Sequence, residues 1–159
     1  MPAPYNPLTV ANFFIEAAER EGRRLTPMQI IKMVYIAHGF SLAMLRRPLL
    51  NESVEAWRYG PVVPSLYRRL KKYGSNKVDE VLPPAFFGLK TEQLDQSDEK
   101  LLAAVFGKYG NLDGIQLSHL THRKGTPWYE CFSPDEMGTP INDDLIKTHY
   151  ATLLANSAD

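Results

Sequence analysis

The sequence has a single cysteine and no excess of charge of either sign. Cys131 has no partner with which to form a disulfide within the 159-residue chain, which is typical of proteins from a reducing compartment. Eighteen Lys and Arg residues balance eighteen Asp and Glu residues, so the formal net charge is zero. This balance argues against a general polyanion binder, because such proteins usually carry a basic excess.

Targeting and membrane-spanning segments are also absent from the pattern. Residues 1–7 lack the charged and apolar stretches of a signal peptide. No apolar run approaches the roughly 20 residues that are needed to span a bilayer. We therefore expect a cytoplasmic protein without a membrane partner. The length suits one domain over residues 1–159, with residues 1–8 as a flexible N-terminal segment.

The sequence lacks the common catalytic and metal-binding motifs. It has no phosphate-binding loop, dinucleotide fingerprint or nucleophile elbow. His119, His122 and Cys131 match none of the usual zinc spacings. Ser118 next to His119 is not a nucleophile–base pair, since adjacent residues on a helix do not face each other. We predict no catalytic residue, no cofactor and no metal. The alternative, a hydrolase around His119 and His122, needs a pocket that joins them to an acid.

Helix start signals are what the sequence has in abundance. Thr26-Pro27-Met28-Gln29 is a capping box with proline at the first helical position, and it predicts a central core helix that continues to Leu45. Further helix starts are predicted at Thr9, Pro64, Ser97 or Asp98, Asp113, Thr126 and Asn142. His38 and His149 fall on apolar helix stripes, where we expect hydrogen-bonded core side chains. The predicted fold class is mainly α: a single compact multi-helix domain with at most a short two-stranded β element.

The segment from Glu55 to Tyr67 is rich in aromatic residues, proline and glycine. Its composition suits either a packing core or an interaction surface. Residues 53–57 are expected to form a short extended segment, with a turn forced by Gly60-Pro61. On a strand, Trp57 and Tyr59 would point to one face and Arg58 to the other.

A basic cluster follows, with Arg68, Arg69, Lys71 and Lys72 and no acid among them. It suits a dock for an acidic protein or a phosphate backbone, or a solvated helix end whose cations favour the helix dipole. Arginine beside aromatic residues is typical of interface anchors. We predict a partner surface formed or bordered by Trp57, Arg58, Tyr59, Arg68 and Arg69. The alternative is a nucleic-acid-associated regulator that uses the basic helix, residues 68–72.

Several segments together resemble a known family. They are LTPMQIIKMVY at 25–35, EAWRYGPV at 55–62, Leu66-Tyr67, LSHLTH at 117–122 and Pro127-Trp128. In this order they are similar to the Panacea domain, also called the SocA-like antitoxin domain, of bacteria and phages. The resemblance covers nearly the whole chain. The residues of its structural motif are Gly60, Pro61, Tyr67, Thr121, His122, Pro127 and Trp128.

The resemblance implies an antitoxin of a toxin–antitoxin system. Such a protein neutralises a cognate toxin, encoded by a neighbouring gene, through direct protein–protein binding. In one branch of the family the antitoxin acts as an adaptor that delivers the toxin to a cytosolic ATP-dependent protease. The family is not one of enzymes. The resemblance identifies neither the toxin nor the residues that bind it, and monomer, homo-oligomer and toxin complex all stay open.

Overall fold

The computed structural model describes residues 3–83 and 92–157, and within these ranges the fold is mainly helical with one small sheet. The predicted fold class is confirmed. The helices are α1 (Pro7–Arg20), α2 (Pro27–Phe40), α3 (Pro64–Leu70), α4 (Gln96–Tyr109), α5 (Gly114–His122), α6 (Pro127–Cys131) and α7 (Asp143–Ser157). The strands are β1 (Glu55–Trp57), β2 (Gly60–Val62) and β3 (Thr139–Pro140).

Helix α2 is the centre of the molecule, and α1, α4, α5 and α7 pack around it. The predicted capping box starts it: Thr26 Oγ1 accepts from the Gln29 N–H (3.3 Å), and Gln29 Oε1 accepts from the Thr26 N–H (2.8 Å). Every residue from Ile30 to Phe40 is buried. A π-helical turn, Ser41–Leu45, continues α2 to the predicted end.

The stretch Pro27–Leu45 is 19 residues long and apolar enough to cross a membrane, with a mean hydropathy of 1.4 over its most apolar window of 18 residues. It lies inside the fold, because 72% of its most apolar window is buried. A helix that is apolar around its whole circumference is typical of a protein core as well as of a membrane span. Burial therefore identifies α2 as a core helix. Among the described residues it is the one helix that is long and apolar enough to span a bilayer.

Two side chains of α2 show how the core is specified. His38 is buried, and its Nδ1 accepts the backbone N–H groups of Leu49 and Leu50 (3.3 Å each). The ring proton is therefore on Nε2, which donates to Asp143 Oδ1 at 2.9 Å. The prediction of a hydrogen-bonded core histidine is confirmed. At Gly39 a Cβ would overlap the buried ring of Tyr150, so glycine is what lets α7 approach α2 closely.

Two residues of the N-terminal segment, Tyr5 and Pro7, are buried. The Asn6 side chain caps α1 by accepting from the Leu8 N–H (2.9 Å), so the helix begins before the predicted start at Thr9. Tyr5 is 1% exposed and donates from its hydroxyl to Asp98 Oδ2 at 2.6 Å. Burial, together with the Asp98 carboxylate, raises the pKa of Tyr5 to about 12. Sequence reasoning missed this anchor because its two ends lie 93 residues apart.

Asp98 also differs from its predicted role at a helix start. Helix α4 begins at Gln96, and Asp98 is completely buried within the first turn. Its Oδ1 accepts from Arg47 Nη2 at 2.9 Å. A buried carboxylate needs such partners, because an unpaired charge in the core is costly. Asp98 thus ties α4 to the segment that follows α2 and to the N-terminus.

The sheet is antiparallel, with strand order β2-β1-β3. Trp57 pairs with Gly60, so the tight turn consists of Arg58 and Tyr59. The expectation that Gly60-Pro61 forms the turn is therefore wrong: both residues belong to β2. The third strand, a two-residue pairing with β1, was not foreseen from the sequence.

Candidate functional site

The β1–β2 hairpin is held by its backbone. Three carbonyl groups at alternating positions each accept a hydrogen bond from the side chain of a different helix. The pairs are Trp128 Nε1 (α6) with the Trp57 carbonyl, Ser118 Oγ (α5) with the Tyr59 carbonyl at 2.8 Å, and Lys32 Nζ (α2) with the Pro61 carbonyl at 3.0 Å. Three helices thereby fix the path of the hairpin without using the side chains at its tip.

The Pro61 contact also closes the outer edge of β2. Proline has no N–H and is confined to edge strands, where its missing donor faces away from the ladder. Its carbonyl is satisfied by the Lys32 ammonium. Gly60 has a φ of +121°, and a Cβ there would lie 2.8 Å from Lys32 Nζ. Gly60 therefore leaves room for the Lys32 side chain of α2 beside β2, and Pro61 supplies the carbonyl that this side chain binds.

The residues 117–128 of the family motif form the base beneath the hairpin. His122 and Trp128 are partly or fully buried with ring centroids 5.3 Å apart. Buried Thr121 donates to the Leu117 carbonyl within α5 (2.9 Å). Thr126 caps α6 by accepting from the Tyr129 N–H, which confirms the predicted helix start before Pro127.

Ser118 and His122 are hydrogen-bonded to each other, with Oγ and Nδ1 3.1 Å apart. The serine hydroxyl already donates its hydrogen to the Tyr59 carbonyl, so the ring N–H of His122 donates to Oγ. A nucleophilic serine needs the opposite arrangement, in which the imidazole accepts the hydroxyl hydrogen. The pair orients the hairpin in this geometry.

The histidine pair suggested as an alternative site does not gather further ligands. The His119 and His122 ring centroids are 6.4 Å apart, and His119 is exposed. Cys131 is half-buried. In residues 3–83 and 92–157, no group of three His, Cys, Asp or Glu side chains is placed to hold a metal ion.

A groove of about 1060 Å³ runs beside the hairpin. It lies between β1, the start of α2, the inner face of α3 and the segment 132–138. Trp57 forms part of its wall, with its ring 4.9 Å from that of Tyr67 and its Nε1 donating to Glu55 Oε1 at 2.9 Å. The wall is therefore ordered by contacts within the chain.

Large apolar side chains remain exposed around this groove. Tyr59 at the hairpin tip is 68% exposed, Met28 is 37% exposed and Met137 is fully exposed. All three line the groove, as does the exposed side chain of Arg58. A cluster of exposed apolar side chains commonly marks an interaction site, whereas a single exposed apolar residue does not.

The basic residues after Tyr67 do not share one surface. Lys71 lines the groove, whereas Arg68 is exposed outside it. Arg69 is half-buried and donates from Nη2 to the Pro83 carbonyl at 2.6 Å. Lys72 lies 4.0 Å from an acidic side chain in the following loop. Among the five predicted partner residues, the groove thus brings together Trp57, Arg58 and Tyr59 but neither Arg68 nor Arg69.

Lys32 is the residue of this site that sequence reasoning missed. It lines the groove but is 2% exposed. Burial lowers the pKa of its ammonium group to about 7. The available signal was a lysine within a helix that is apolar around most of its circumference, since such a helix is buried on most sides.

Comparison with known proteins places these features in a family. The profile of the Antitoxin SocA-like, Panacea domain matches residues 30–129, which run from α2 to α6 and contain the hairpin and its three anchors. Antitoxin SocA of Caulobacter vibrioides (strain NA1000 / CB15N) is 29% identical over 124 residues. The match covers 75% of this chain and 66% of that protein, just under two thirds of its length. No solved structure matches. The chain belongs to the SocA-like antitoxin family of Panacea domains.

Proposed function

We propose that this protein is a non-enzymatic antitoxin that neutralises a toxin encoded by a neighbouring gene, and that the hairpin tip and the groove bind that toxin. One observation carries the proposal. The hairpin is fixed through its backbone carbonyls, which leaves Arg58 and Tyr59 free for a partner. The similarity to a named antitoxin supports the same function.

The anchoring of the hairpin favours tight binding. A surface that is already ordered loses little conformational entropy when a partner binds. Tyrosine, tryptophan and arginine are also the residues most enriched among binding hot spots. Trp57, Arg58 and Tyr59 supply one of each on a support made by three helices. In this proposal Arg68 and Arg69 border the surface and do not form it.

Two finer hypotheses follow from the family. The antitoxin either sequesters the toxin or delivers it to a cytosolic ATP-dependent protease, and both place the complex in the cytoplasm. The half-life of the toxin, measured with and without the antitoxin, distinguishes them. Delivery shortens the half-life in a protease-containing strain, whereas sequestration leaves it unchanged or longer.

The nucleic-acid alternative has less support. A nucleic-acid surface needs several cations on one face, but Arg69 and Lys72 are engaged by the neighbouring loop. Binding to the promoter of its own operon, with affinity falling steeply as salt rises, would favour this alternative.

Co-expression with the adjacent open reading frame tests the proposal. The double variant Arg58→Glu/Tyr59→Ala should lose both growth protection and co-purification of the toxin, with an unchanged melting temperature. Tyr129→Ala is the matched control, since Tyr129 is 52% exposed and lies outside the groove. A neighbouring product that is harmless alone, or that the double variant still neutralises, contradicts the proposal.

A further inference from the structure

The groove contains a cation for which the fold provides no counter-ion. Lys32 has three N–H donors, and the acceptor that the structure gives it is the uncharged carbonyl of Pro61. Among the described residues, no carboxylate lies within 4.0 Å of its ammonium group. Buried charges in proteins are normally paired or coordinate ions. Among the described residues Lys32 has no such partner, so its charged form is disfavoured in the free protein and a carboxylate from a ligand would stabilise it.

The acids that line the same groove are already engaged. Glu55 accepts from the Trp57 indole at 2.9 Å, and Glu136 accepts from the Thr139 hydroxyl at 3.2 Å. Arg58 and Lys71 add two further cations to the groove wall. With Lys32 charged, the groove wall carries three cations against two carboxylates, and neither carboxylate lies within ion-pair distance of Lys32. The groove therefore suits a ligand that brings one carboxylate and otherwise presents apolar side chains.

We propose that the groove binds a segment of the partner protein in which an aspartate or glutamate is flanked by apolar residues, and that this carboxylate pairs with the Lys32 ammonium. The inference rests on the proposed antitoxin function and adds the chemistry of the toxin segment. The apolar flanks bury Met28 and Tyr59 at the rim, and the carboxylate reaches the cation at the base.

Pairing of Lys32 with the ligand carboxylate is coupled to the uptake of a proton by Lys32. In the free protein burial lowers the pKa of Lys32 to about 7, so most copies are neutral at pH 8. A carboxylate at ion-pair distance favours the charged amine and raises this pKa again. Binding at pH 8 therefore takes up as much as about one proton per complex. The other titratable side chains nearby are Glu55, Arg58, Tyr59, Tyr67, Lys71 and Glu136, with His122 behind Gly60.

Calorimetric titration with the purified product of the neighbouring gene tests the proposal. Binding heats are measured at pH 8 in phosphate and in Tris, whose ionisation enthalpies differ. The wild type should show proton uptake, and Lys32→Met should show none and bind at least tenfold more weakly. Lys77→Met is the matched control: Lys77 is exposed and does not line the groove, so binding and proton uptake should persist.

The outcomes separate this inference from the function on which it rests. Equal wild-type heats in the two buffers overturn the Lys32 pairing but leave the antitoxin function intact, and this readout does not depend on the folding of any variant. Unweakened binding by Lys32→Met also overturns it. If the wild type does not bind, the proposed function fails and the pairing with it. Concentration-dependent dimers that Lys32→Met abolishes would assign the groove to a second copy instead of a toxin.

Discussion

The buried lysine predicts an unusual dependence of stability on pH. The pKa of Lys32 is about 7 in the folded protein, against an ordinary value of 10.5. Between these values the unfolded chain binds a proton that the folded protein does not, so the free energy of unfolding rises with pH. Below pH 7 both states are protonated, and the cost of burying the charge is constant.

The magnitude follows from the same two values. Each pH unit within this window is worth about 1.4 kcal/mol. From pH 7.5 to pH 9.5, Lys32 should raise the free energy of unfolding by about 2–3 kcal/mol. The raised pKa of Tyr5, about 12, opposes this trend only at a higher pH. Below about pH 10 the Tyr5 hydroxyl is neutral in both the folded and the unfolded chain, so it adds no pH dependence to the free energy of unfolding there.

Lys32→Met provides the reference, because methionine fills a similar apolar volume without a titratable group. The Pro61 carbonyl loses its donor in this variant, which costs about 1–3 kcal/mol at every pH. Urea unfolding, followed by the fluorescence of the two tryptophans, measures both proteins at several pH values. The difference, wild type minus variant, should increase by about 2–3 kcal/mol over the window. Parallel curves for the two proteins would refute the reasoning.

Three further changes, the first with a matched control, test other parts of the fold. Gly39→Ala should destabilise the protein by about 2–3 kcal/mol, because the methyl group overlaps a buried ring of α7; Gly107→Ala on α4, where a Cβ meets nothing within 4 Å, should be neutral or stabilising. Asp98→Asn should cost about 2–3 kcal/mol in urea unfolding, since it removes a buried charge-assisted hydrogen bond. Trp128→Phe removes the donor to the Trp57 carbonyl and should weaken toxin binding together with stability; weakened binding at unchanged stability would place Trp128 in the interface instead.

In the proposed function, one segment takes part in both folding and partner binding, through different groups. The carbonyls of residues 57, 59 and 61 are fixed by side chains of three helices. Side chains at the turn contribute nothing to these bonds. Substitutions of Arg58 and Tyr59 should therefore alter partner binding without unfolding the domain, and this separation makes the binding experiments interpretable.

Local interactions were the part of the fold that sequence reasoning predicted well. The capping boxes at Thr26–Gln29 and Asp113–Gln116 each join residues three apart, and both are present. The family motif was likewise visible in short runs of residues, and the membership of the chain in that family is confirmed. The predicted position of the turn was wrong. Gly60 and Pro61 lie in β2, and the lack of a Cβ at Gly60 leaves room for the Lys32 side chain of α2.

Closeness in sequence did not predict which side chains near α3 line the groove. Arg68 and Arg69 follow the aromatic segment directly, yet the helical period turns Tyr67 and Lys71 toward the groove. The side chain of Arg69 instead reaches the loop at Pro83. Charge composition predicted a basic region, but the direction of each side chain depends on the packing of α3 against α2.

The sequence by itself determined the helical class, most of the helix starts and the family, because these depend on residue type and on contacts between near neighbours. The tertiary structure alone decided what the aromatic segment does. The donors to its carbonyls come from 29, 59 and 71 residues away. Such contacts form only when α2, α5 and α6 pack together, and the same packing buries Lys32 and leaves Tyr59 exposed.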